Sequence, residues 1–572
     1  MMDATEIRQK ILAAVSANGG HLASSLGAVE IAMALAEVFE PERDRVVWDV
    51  GHQAYAWKIL TGRAEQFPTL RRAGGISGFP NPSESSADAA VAGHAGTAIS
   101  VASGLAAARD RKGSSEHVVA VVGDGALVNG TSFEAINNCA AATSKIIVVL
   151  NDNEMSISRP CGSFSRFLGR LISGVRYNRV KAAAEQAGHR LKLTFLRGAY
   201  HRLESRLKSL FLGNAFFEQF GLRYIGPVDG HDLNALVSAF TVAKEDKRSV
   251  LVHVVTKKGR GFAPAEQEPT KWHGVGPFEL ESAKLPVSPR DWSAAFGDAL
   301  CAAAEKDNRI VAITAGMKDG TGLGEFARRF PDRFFDVGIA EGHMVAFAAG
   351  LAAGGLRPVV AVYSTFLQRA VDQVMHDVAI SSLPVVFCVD RAGVVGADGV
   401  THQGVFDIAM LRSLPNLTIA QPKDEMDLAA LLDEAFSRNC PTVIRYPRGR
   451  VPASVEPAHP GAAPLAVWAS GDWFPKACEI ASALGGEAVH ARYLKPFDAE
   501  LLKRQRAQGK LIVSIENGSL AGGFGEAIGA DVKFGWPDEF VPHAAPEELE
   551  RRYALDVGSM IERIKKAMES YG

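Results

Sequence analysis

The sequence has 572 residues and a mass of 61.0 kDa, too many for one hydrophobic core, so roughly two to four domains are expected. Hydrophobic residues make up 47% and charged residues 22%, which excludes disorder, collagen-like repeats and coiled coil as the main architecture. The 62 Lys and Arg residues balance 64 Asp and Glu residues at a net charge of −2, which argues against a nucleic-acid or anionic-membrane partner.

Cysteine usage and hydropathy predict a cytoplasmic protein. The six cysteines form no CxxC pair, and most stand in apolar surroundings, which is typical of reduced, packed thiols. The first 15 residues predict an amphipathic helix and lack the apolar core and cleavage site of a signal peptide. No uncharged apolar run reaches the roughly 18 residues that span a bilayer, so no membrane partner is expected.

The first predicted domain, residues 1–285, alternates short apolar strands with helical stretches. Its β-branched runs at 118–126 and 145–153 end in Gly, Asp and Asn, which is typical of buried parallel strands with polar loops at their carboxyl ends. The runs at 224–232 and 250–261 repeat the pattern. This alternation predicts an α/β domain with a parallel sheet.

Two further α/β domains, at 290–450 and 466–572, are predicted after loose linkers at 283–292 and 451–465. Apolar runs predict their strands at 309–314, 357–364, 383–391, 441–448 and 511–517. The fold class is therefore α/β, with three domains of mostly parallel, helix-covered sheets. Active sites in such sheets lie at the carboxyl ends of the strands.

Residues 166–208 contain eleven Lys or Arg but only two acids, Glu185 and Glu204. Such a charge run is typical of a solvated helical face. A surface that faces phosphate or a partner is the alternative, and the sequence leaves both open.

The first motif with chemistry is GDGA at 123–126, followed by NDNEMS at 151–156. Glycines around Asp124 allow the main chain to approach a diphosphate closely. Asn153 follows 29 residues later, at the end of the next predicted strand. Two neighbouring strands then present oxygen ligands to one hard cation, and Mg²⁺ suits a few protein ligands together with phosphate oxygens. This spacing resembles the thiamine-diphosphate signature.

Nine blocks follow one another along the chain: GHLASSLG (20–27), WDVGHQAY (48–55), LNDNEMSIS (150–158), YIGPVDGHD (224–232), KKGRG (257–261), YSTFLQRA (363–370), HDVAI (376–380), DRAGVVGADGVTHQG (390–404) and RYPRG (445–449). Together they closely resemble the 1-deoxy-D-xylulose-5-phosphate synthase family of transketolase-like enzymes, which opens a route to isoprenoids. The resemblance covers nearly the whole chain.

The resemblance implies a transketolase-like thiamine-diphosphate-binding fold, a homodimer, and the cofactors thiamine diphosphate and Mg²⁺. It also implies a transferase that joins pyruvate to D-glyceraldehyde 3-phosphate, with release of CO₂, to give 1-deoxy-D-xylulose 5-phosphate. An enzyme of this kind needs a buried carboxylate beside the pyrimidine ring of the cofactor. Glu341, in the block AEGH, matches that carboxylate, and an N-capping or surface glutamate is the alternative reading.

Further site residues are implied by position in the matching blocks. The metal ligands are Asp124, Asn153 and the main-chain carbonyl of Met155. The cofactor-binding set is His52, Gly93, His94, Gly123, Gly125, Ala126, Asn153 and Glu341. The catalytic set is Glu341, His21, His273 and His402, with the histidines assigned to proton transfer or alkoxide stabilisation and no step chosen. His21 and His52, which each follow a Gly, and His273 could instead be structural.

The acceptor phosphate needs a basic, bidentate grip, which arginine supplies better than lysine. The substrate-binding residues implied by the resemblance are Tyr363, Arg369, Arg391, Asp398 and Arg448. Arg445 is interpreted as a strand-end salt bridge and stays outside the site.

The chain departs from the family pattern near the expected site. Gly342 stands where the family commonly has Gln, and Gly96 stands where it has Ser, which predicts a changed pocket. The chain also begins close to the GHLASS block, and 514–525 lacks the usual pair of acids. A related carboligase or transketolase-like enzyme with another donor or aldehyde is therefore a second hypothesis, and a non-catalytic cofactor-binding protein is a third.

Overall fold

A computed structural model describes residues 2–153, 214–286, 289–456 and 462–571. The predicted basic segment 166–208 and Met155 lie outside these residues. The chain forms two compact units: Met1–Leu70 with Gly75–Pro286, and Arg71–Gly74 with Val287–Gly572. Each unit is described separately.

The first unit contains a five-stranded sheet in the order β1-β2-β3-β5-β4, in which every pairing is parallel. Its strands are β1 Arg45–Trp48, β2 Val118–Gly123, β3 Ile147–Asp152, β4 Arg223–Asp229 and β5 Val250–Val255. The β-branched runs predicted as strands form β2 to β5, because both faces of the sheet are covered. The pairing of Gly123 with Asn151 aligns the carboxyl ends of β2 and β3.

Helices cover both faces of this sheet and enclose two hydrophobic cores. The described helices of the first unit are Ala4–Asn18, Leu22–Gly27, Val29–Val38, Tyr55–Lys58, Ala98–Lys112, Asp124–Leu127, Gly130–Ala142, Asn214–Gln219, Leu233–Glu245 and Ala263–Gln267, with short turns of other helix types at Ile59–Arg63 and Phe67–Thr69. Side chains of Asp3, Asn129 and Asp232 accept main-chain N–H groups at three helix starts.

The second unit contains two sheets. The larger has the order β14-β10-β11-β9-β8-β6-β7 and is parallel except where β14 joins β10. Its strands are β6 Ile310–Thr314, β7 Phe334–Asp336, β8 Arg357–Tyr363, β9 Val386–Asp390, β10 Thr418–Ala420, β11 Thr442–Arg445 and β14 Tyr493–Lys495. The smaller sheet, β13-β12-β15-β16, is parallel throughout, with β12 Leu465–Ala469, β13 Glu487–His490, β15 Leu511–Ser519 and β16 Val532–Trp536.

The described helices of the second unit are Trp292–Lys306, Gly324–Arg329, Glu341–Ala353, Ser364–Leu367, Val371–Gln373, Asp407–Arg412, Glu425–Ser437, Phe474–Leu484, Ala499–Ala507, Phe524–Ala527, Pro546–Arg552 and Val557–Tyr571. Short turns of other helix types lie at Pro331–Arg333, Gln368–Ala370, Val374–Ala379, Gly399–Thr401 and Gly471–Trp473. The apolar run after His343 forms a helix and then β8.

Arg445, at the end of β11, ties the two sheets of this unit together. Its guanidinium donates to Asp407 Oδ2 at 2.9 Å, to Gln421 Oε1 at 2.6 Å and to the main-chain oxygen of Asn517 at 2.9 Å. The side chain is 1% exposed. Its interpretation as a structural salt bridge is therefore confirmed.

These sheets confirm the predicted α/β class with mostly parallel, helix-covered sheets. The three predicted domain boundaries stay a prediction, since the last two segments lie in one compact unit and β14 of the third joins the sheet of the second. Within the described residues, no helix is both long and apolar enough to cross a bilayer.

Candidate active site

Three predicted histidines of the first unit form a cluster. The ring centroids of His21 and His52 lie 5.9 Å apart, those of His21 and His273 5.8 Å apart, and those of His52 and His273 5.2 Å apart. Ser24 Oγ lies 3.3 Å from His273 Nδ1. Residues 252 positions apart in the sequence thus share one small volume.

Main-chain hydrogen bonds bring the loops of His21 and His273 together. The N–H of Gly20 donates to the Val275 oxygen at 2.8 Å, and the N–H of Val275 donates back to the Gly20 oxygen at 3.0 Å. The N–H of Ala23 donates to the Trp272 oxygen at 2.9 Å, and Trp272 is 1% exposed. The two histidines therefore sit on either side of a main-chain bridge anchored in the core.

Burial lowers the pKa of His52 and of His273 well below the ordinary imidazole value, and neighbouring positive charge lowers it further. Lys258 contributes to both shifts. Both imidazoles are therefore neutral at neutral pH. A neutral imidazole can donate from one ring nitrogen and accept at the other.

Lys258 is a site residue that the sequence analysis missed. It is 9% exposed, and burial lowers its pKa to about 8, while the nearby Asp124 carboxyl opposes that shift. A lysine in KKGRG looks like a surface charge in the sequence. The signal that could have placed Lys258 at the site was its position, three residues after the carboxyl end of β5.

The two predicted side-chain metal ligands follow the adjacent strands β2 and β3. Asp124 begins the helix Asp124–Leu127 directly after β2, and it is 8% exposed. Burial, together with the like charge of Asp152, raises its pKa to about 7. Asn153 Oδ1 is buried and has no hydrogen-bond partner among the described residues. A buried carboxyl and an unsatisfied amide oxygen are a donor set that fits Mg²⁺.

The space beside these residues fits a diphosphate. A Cβ added to Gly123 would meet nothing within 4 Å, and the N–H of Gly125 donates to the Asp124 carboxyl. Ala126 is 5% exposed and belongs to the core below. Among the described residues, no three His, Cys, Asp or Glu side chains are grouped as a metal cluster.

Gly93 and His94 lie in the loop that leads into the helix Ala98–Lys112. Asp49, which follows β1, fixes this loop because its carboxylate accepts the N–H of Gly96 at 2.8 Å and of Ala98 at 3.0 Å. Gly96 has φ +89°, and a Cβ there would lie 2.4 Å from Asn129 Oδ1. The main-chain conformation and the nearby Asn129 side chain therefore both favour glycine at position 96. The sequence alone had suggested only the loss of a hydroxyl group there.

In the second unit, Glu341 is the first residue of the helix Glu341–Ala353. The residue is 4% exposed, and its buried Oε2 has no hydrogen-bond partner among the described residues. Burial raises its pKa above the ordinary carboxyl value, and the positive charge of Arg369 opposes that shift. The positive charge of Arg369 therefore favours the ionised form of the Glu341 carboxyl. The alternative of a surface glutamate is excluded by this burial.

The departure at Gly342 places another amide near Glu341. A Cβ on Gly342 would lie 3.3 Å from Gln373 Oε1, so the Gln373 carboxamide flanks this position. That oxygen is buried and has no partner among the described residues, while Gln373 Nε2 donates to Asp372 at 3.1 Å. A carboxamide therefore lies beside residue 342 even though residue 342 has no side chain.

Arg391 and Tyr363 pack together at the carboxyl ends of β9 and β8. The guanidinium carbon lies 3.7 Å from the Tyr363 ring centroid, a cation–π contact. Arg391 has φ 58°, which is strained for a residue with a side chain. The preceding Asp390 is fully buried and accepts from Ser293 Oγ at 2.6 Å. Burial raises the Asp390 pKa to about 6.

Asp398 joins two further arginines. Arg71 Nη1 lies 2.8 Å from Asp398 Oδ1, and Arg448 Nη1 donates to Asp398 Oδ2 at 3.3 Å. The Arg448 side chain is 47% exposed, whereas that of Arg71 is 8% exposed. Arg71 was missed because LRRAGG carries no recognisable motif. Arginines from two distant stretches of the sequence therefore contact one carboxylate.

His402 packs in the same unit against Phe366, with ring centroids 5.6 Å apart. Its Nδ1 lies 2.9 Å from Thr401 Oγ1. The next residue, Gln403, is 4% exposed and accepts the N–H of Val395 at 2.7 Å. The loop 390–404 is thus held by its own hydrogen bonds.

Comparison with known proteins identifies the class of this arrangement. Residues 2–256 match the family model of 1-deoxy-D-xylulose-5-phosphate synthase, and residues 288–454 match the transketolase pyrimidine-binding domain. The chain is therefore an α/β protein with a transketolase-type pyrimidine-binding domain.

Curated relatives resemble nearly the whole chain. The 1-deoxy-D-xylulose-5-phosphate synthase 2 of Geobacter sulfurreducens is 46% identical over 98% of this chain and 95% of its own length. The synthase of Desulforudis audaxviator is also 46% identical, over 98% of this chain and 93% of its own length. Among solved structures, the transketolase from Leishmania mexicana is 20% identical with a TM-score of 0.45, over 100% of this chain and 98% of that chain. The chain belongs to the 1-deoxy-D-xylulose-5-phosphate synthase family.

Proposed function

We propose that this protein catalyses the decarboxylating condensation of pyruvate with D-glyceraldehyde 3-phosphate, giving 1-deoxy-D-xylulose 5-phosphate and CO₂. The observation that carries the proposal is Glu341, a buried carboxyl with an unsatisfied oxygen inside a pyrimidine-binding domain of this family. The cofactors would be thiamine diphosphate and Mg²⁺. When bound, thiamine diphosphate would supply a nucleophilic carbon of its thiazolium ring, and the positively charged ring would accept the electrons left by decarboxylation.

Glu341 would hold the pyrimidine ring of the cofactor. Its Oε2 is free of partners among the described residues and can take a hydrogen bond from, or share a proton with, a ring nitrogen. Burial keeps water from competing for that oxygen, and the raised pKa favours a shared proton. The role of this residue is to orient the ring and to hold a proton at one carboxyl oxygen.

The first unit would bind the diphosphate and the metal. Asp124 and Asn153 supply side-chain oxygens, and Met155 would add its main-chain carbonyl. Lys258 brings a buried positive charge close to Asp124, which suits a site that receives phosphate oxygens.

The histidine cluster would handle protons on substrate oxygens. His52 and His273 are neutral because burial lowers their pKa, so each can donate a hydrogen bond from one ring nitrogen and accept one at the other. His21 shares their volume. His402 would act from the loop 390–404 of the second unit, and no individual step is assigned to any of the four.

The arginine group around Asp398 would bind the phosphate of the acceptor. Arg391 is held over Tyr363, and Arg448 leaves a large part of its guanidinium exposed. Two planar guanidiniums can grip a phosphate by parallel N–H···O bonds. Burial raises the Tyr363 pKa, so its hydroxyl stays protonated and can donate. Arg71 joins the same group through Asp398.

We also propose a homodimer in the cytoplasm. The homodimer rests on the family alone, and sedimentation at about twice the chain mass of 61.0 kDa would support it. The location is supported by the five described cysteines, all of which are free thiols. A single-chain mass in sedimentation would exclude the dimer.

The test of the proposed function is the Glu341→Gln variant, assayed for CO₂ release from pyruvate with D-glyceraldehyde 3-phosphate present. Glutamine keeps the size of the side chain but cannot share a proton, so we expect turnover to fall roughly 10²- to 10⁴-fold. Glu516→Gln is the matched control, because Glu516 is another fully buried carboxyl of the same unit, with pKa raised to about 7. Wild-type turnover in Glu341→Gln would refute the role.

A further inference from the structure

A chain of three buried polar side chains crosses the sheet of the first unit. Tyr224 Oη lies 2.7 Å from His253 Nδ1, and His253 Nε2 lies 3.0 Å from Asp152 Oδ2. Tyr224 is 9% exposed, Asp152 is 2% exposed and His253 is fully buried. None of the three belongs to the predicted site.

The three residues stand on consecutive strands of the sheet, β4, β5 and β3. They lie on the face whose core is formed by side chains such as Leu150 and Leu251. An apolar triplet would fill this face without the cost of burying polar groups. A fully hydrogen-bonded polar triplet in a core instead fixes one arrangement, since each member is left unsatisfied if another moves.

One assignment of donors and acceptors satisfies every member of the chain. A carboxylate only accepts, so the proton at this end is on His253 Nε2, and Nδ1 of a neutral ring is then an acceptor. The Tyr224 hydroxyl donates to that Nδ1, because burial raises its pKa and keeps the phenol protonated. The hydroxyl thus sets the tautomer, and the imidazole holds one oxygen of Asp152.

Asp152 stands directly before the candidate metal ligand Asn153. Its main-chain oxygen accepts the N–H of Thr256 at 2.9 Å, so both its backbone and its side chain are fixed to β5 and the residue after it. The fixed position of Asp152 therefore also fixes the start of Asn153, whose buried amide oxygen has no hydrogen-bond partner among the described residues.

We propose that His253 is a positioning residue for the metal site: it holds Asp152, and through Asp152 it holds the main chain that presents Asn153 Oδ1 to the cation. Tyr224 acts one step further away by fixing the imidazole. The inference rests on the proposed Mg²⁺ site. It assigns a role to a buried histidine outside the candidate site.

The test measures metal binding without turnover, using Mn²⁺ followed by electron paramagnetic resonance with thiamine diphosphate present and both substrates absent. Loss of a group that orients a metal ligand typically costs about 10- to 100-fold in affinity, so we expect that loss for His253→Leu. His253→Gln, which keeps an N–H donor near the position of Nε2, should recover most of the affinity. Tyr224→Phe should weaken Mn²⁺ only about threefold, since one neutral hydrogen bond is lost.

Leu251→Ala is the matched structural control, because Leu251 is fully buried two residues earlier on β5, on the same face. It should lower the unfolding temperature while leaving Mn²⁺ affinity close to that of the wild type. Equal losses of affinity in Leu251→Ala and His253→Leu would overturn the positioning role. Unchanged Mn²⁺ affinity in both Tyr224→Phe and His253→Leu would also overturn it. If His253→Leu does not fold, unchanged affinity in Tyr224→Phe is the result that contradicts the positioning role.

The design separates the two proposals. Wild-type protein that binds no Mn²⁺, or binding that Asp124→Asn leaves unchanged, would refute the metal site itself. Binding that Asp124→Asn abolishes, together with wild-type affinity in His253→Leu, would refute only the role of His253. The concentration of Mg²⁺ that half-activates turnover should rise by the same factor as the Mn²⁺ dissociation constant, with the pyruvate KM at saturating Mg²⁺ unchanged.

Discussion

The histidine region of the first unit and the arginine region of the second are held by different kinds of contact. His21 and His273 are placed by paired main-chain hydrogen bonds between Gly20 and Val275. Arg391 and Arg448 are placed by side-chain contacts, with the Tyr363 ring and with Asp398. Main-chain contacts fix the histidines whatever the pH or salt, whereas the arginines depend on charge and on exposed side chains.

The difference fits the two tasks. Proton transfer needs groups within hydrogen-bond reach of the reacting atoms, and main-chain hydrogen bonds hold the loops that carry His21 and His273. A phosphate is gripped by charge and tolerates some movement, so an exposed guanidinium is sufficient. We therefore expect changes in the arginine region to alter mainly the Michaelis constant of the aldehyde, and changes in the histidine region to alter stability and turnover.

Among the variants that test this comparison of the two regions, the largest effect is expected from Arg391→Ala. Removing one charged grip on a phosphate costs about 1.5–3 kcal/mol, which is roughly 10- to 150-fold in the KM of D-glyceraldehyde 3-phosphate. The pyruvate KM should stay near the wild-type value. Steady-state kinetics with each substrate varied in turn measures both, and Arg450→Ala is the control, since Arg450 is an exposed arginine outside this group. Equal increases in both constants would remove Arg391 from the phosphate site.

A smaller effect of the same kind is expected from Gly320→Ala. A Cβ at position 320 would lie 1.7 Å from Tyr363 Oη, so the tyrosine under Arg391 must move. We expect the aldehyde KM to rise about tenfold, within the usual cost of overpacking. Gly324→Ala is the control, because its Cβ would meet only Asp319 Oδ1, at 3.4 Å. An unchanged KM in Gly320→Ala would show that Tyr363 does not position the arginine.

In the first unit, Asp49→Asn tests whether the loop at Gly96 depends on a buried carboxylate. Asparagine cannot accept both N–H groups as a carboxylate does, so we expect a loss of about 1–3 kcal/mol in stability. The thermal unfolding temperature should fall, and thiamine diphosphate should bind more weakly, because Gly93 and His94 share this loop. Unaltered unfolding and cofactor binding would mean that the loop is held by other contacts.

The smallest effect is the pH dependence that His52 and His273 add to stability. Their folded pKa lies well below the unfolded value of about 6.5, so below that pH the unfolded chain binds more protons and stability falls as pH falls. Each contributes a slope of up to about 1.4 kcal/mol per pH unit between its two pKa values. Replacing both by Asn should flatten the fall in unfolding temperature from about pH 6.5 downward.

His376→Asn is the control for that titration. His376 is exposed and paired with Asp377 at 2.8 Å, and this pairing raises its pKa. Its contribution therefore has the opposite sign: it is present at low pH and is lost as pH rises. An unchanged profile in the double His52 and His273 variant would contradict their neutral, buried state.

The sequence predicted the parallel strands well, because β-branched runs ending in Gly, Asp or Asn read clearly as β2, β3 and β9. It did not predict that β14, of three residues, leaves its own segment to join β10, because so short a strand has no periodicity of its own. The division into three domains remains a prediction, because β14 of the third predicted segment pairs with β10 of the second.

The candidate site shows the same limit. Asp124, Glu341 and the histidines were found through motifs, and their burial follows from the core around them. Lys258 and Arg71 were missed, because a charged residue reads as surface until the fold shows what covers it. The chain from Tyr224 to Asp152 was equally hidden, since its members lie on three strands and have no sequence spacing in common.

The most direct test of the central claim is a mass-spectrometric assay of the wild-type protein with thiamine diphosphate, Mg²⁺, pyruvate and D-glyceraldehyde 3-phosphate. The account predicts one 1-deoxy-D-xylulose 5-phosphate for each CO₂ released, with the product lost when Glu341 is replaced by Gln. Cofactor binding without this product, or equal product formation by the Glu341→Gln variant, would contradict it.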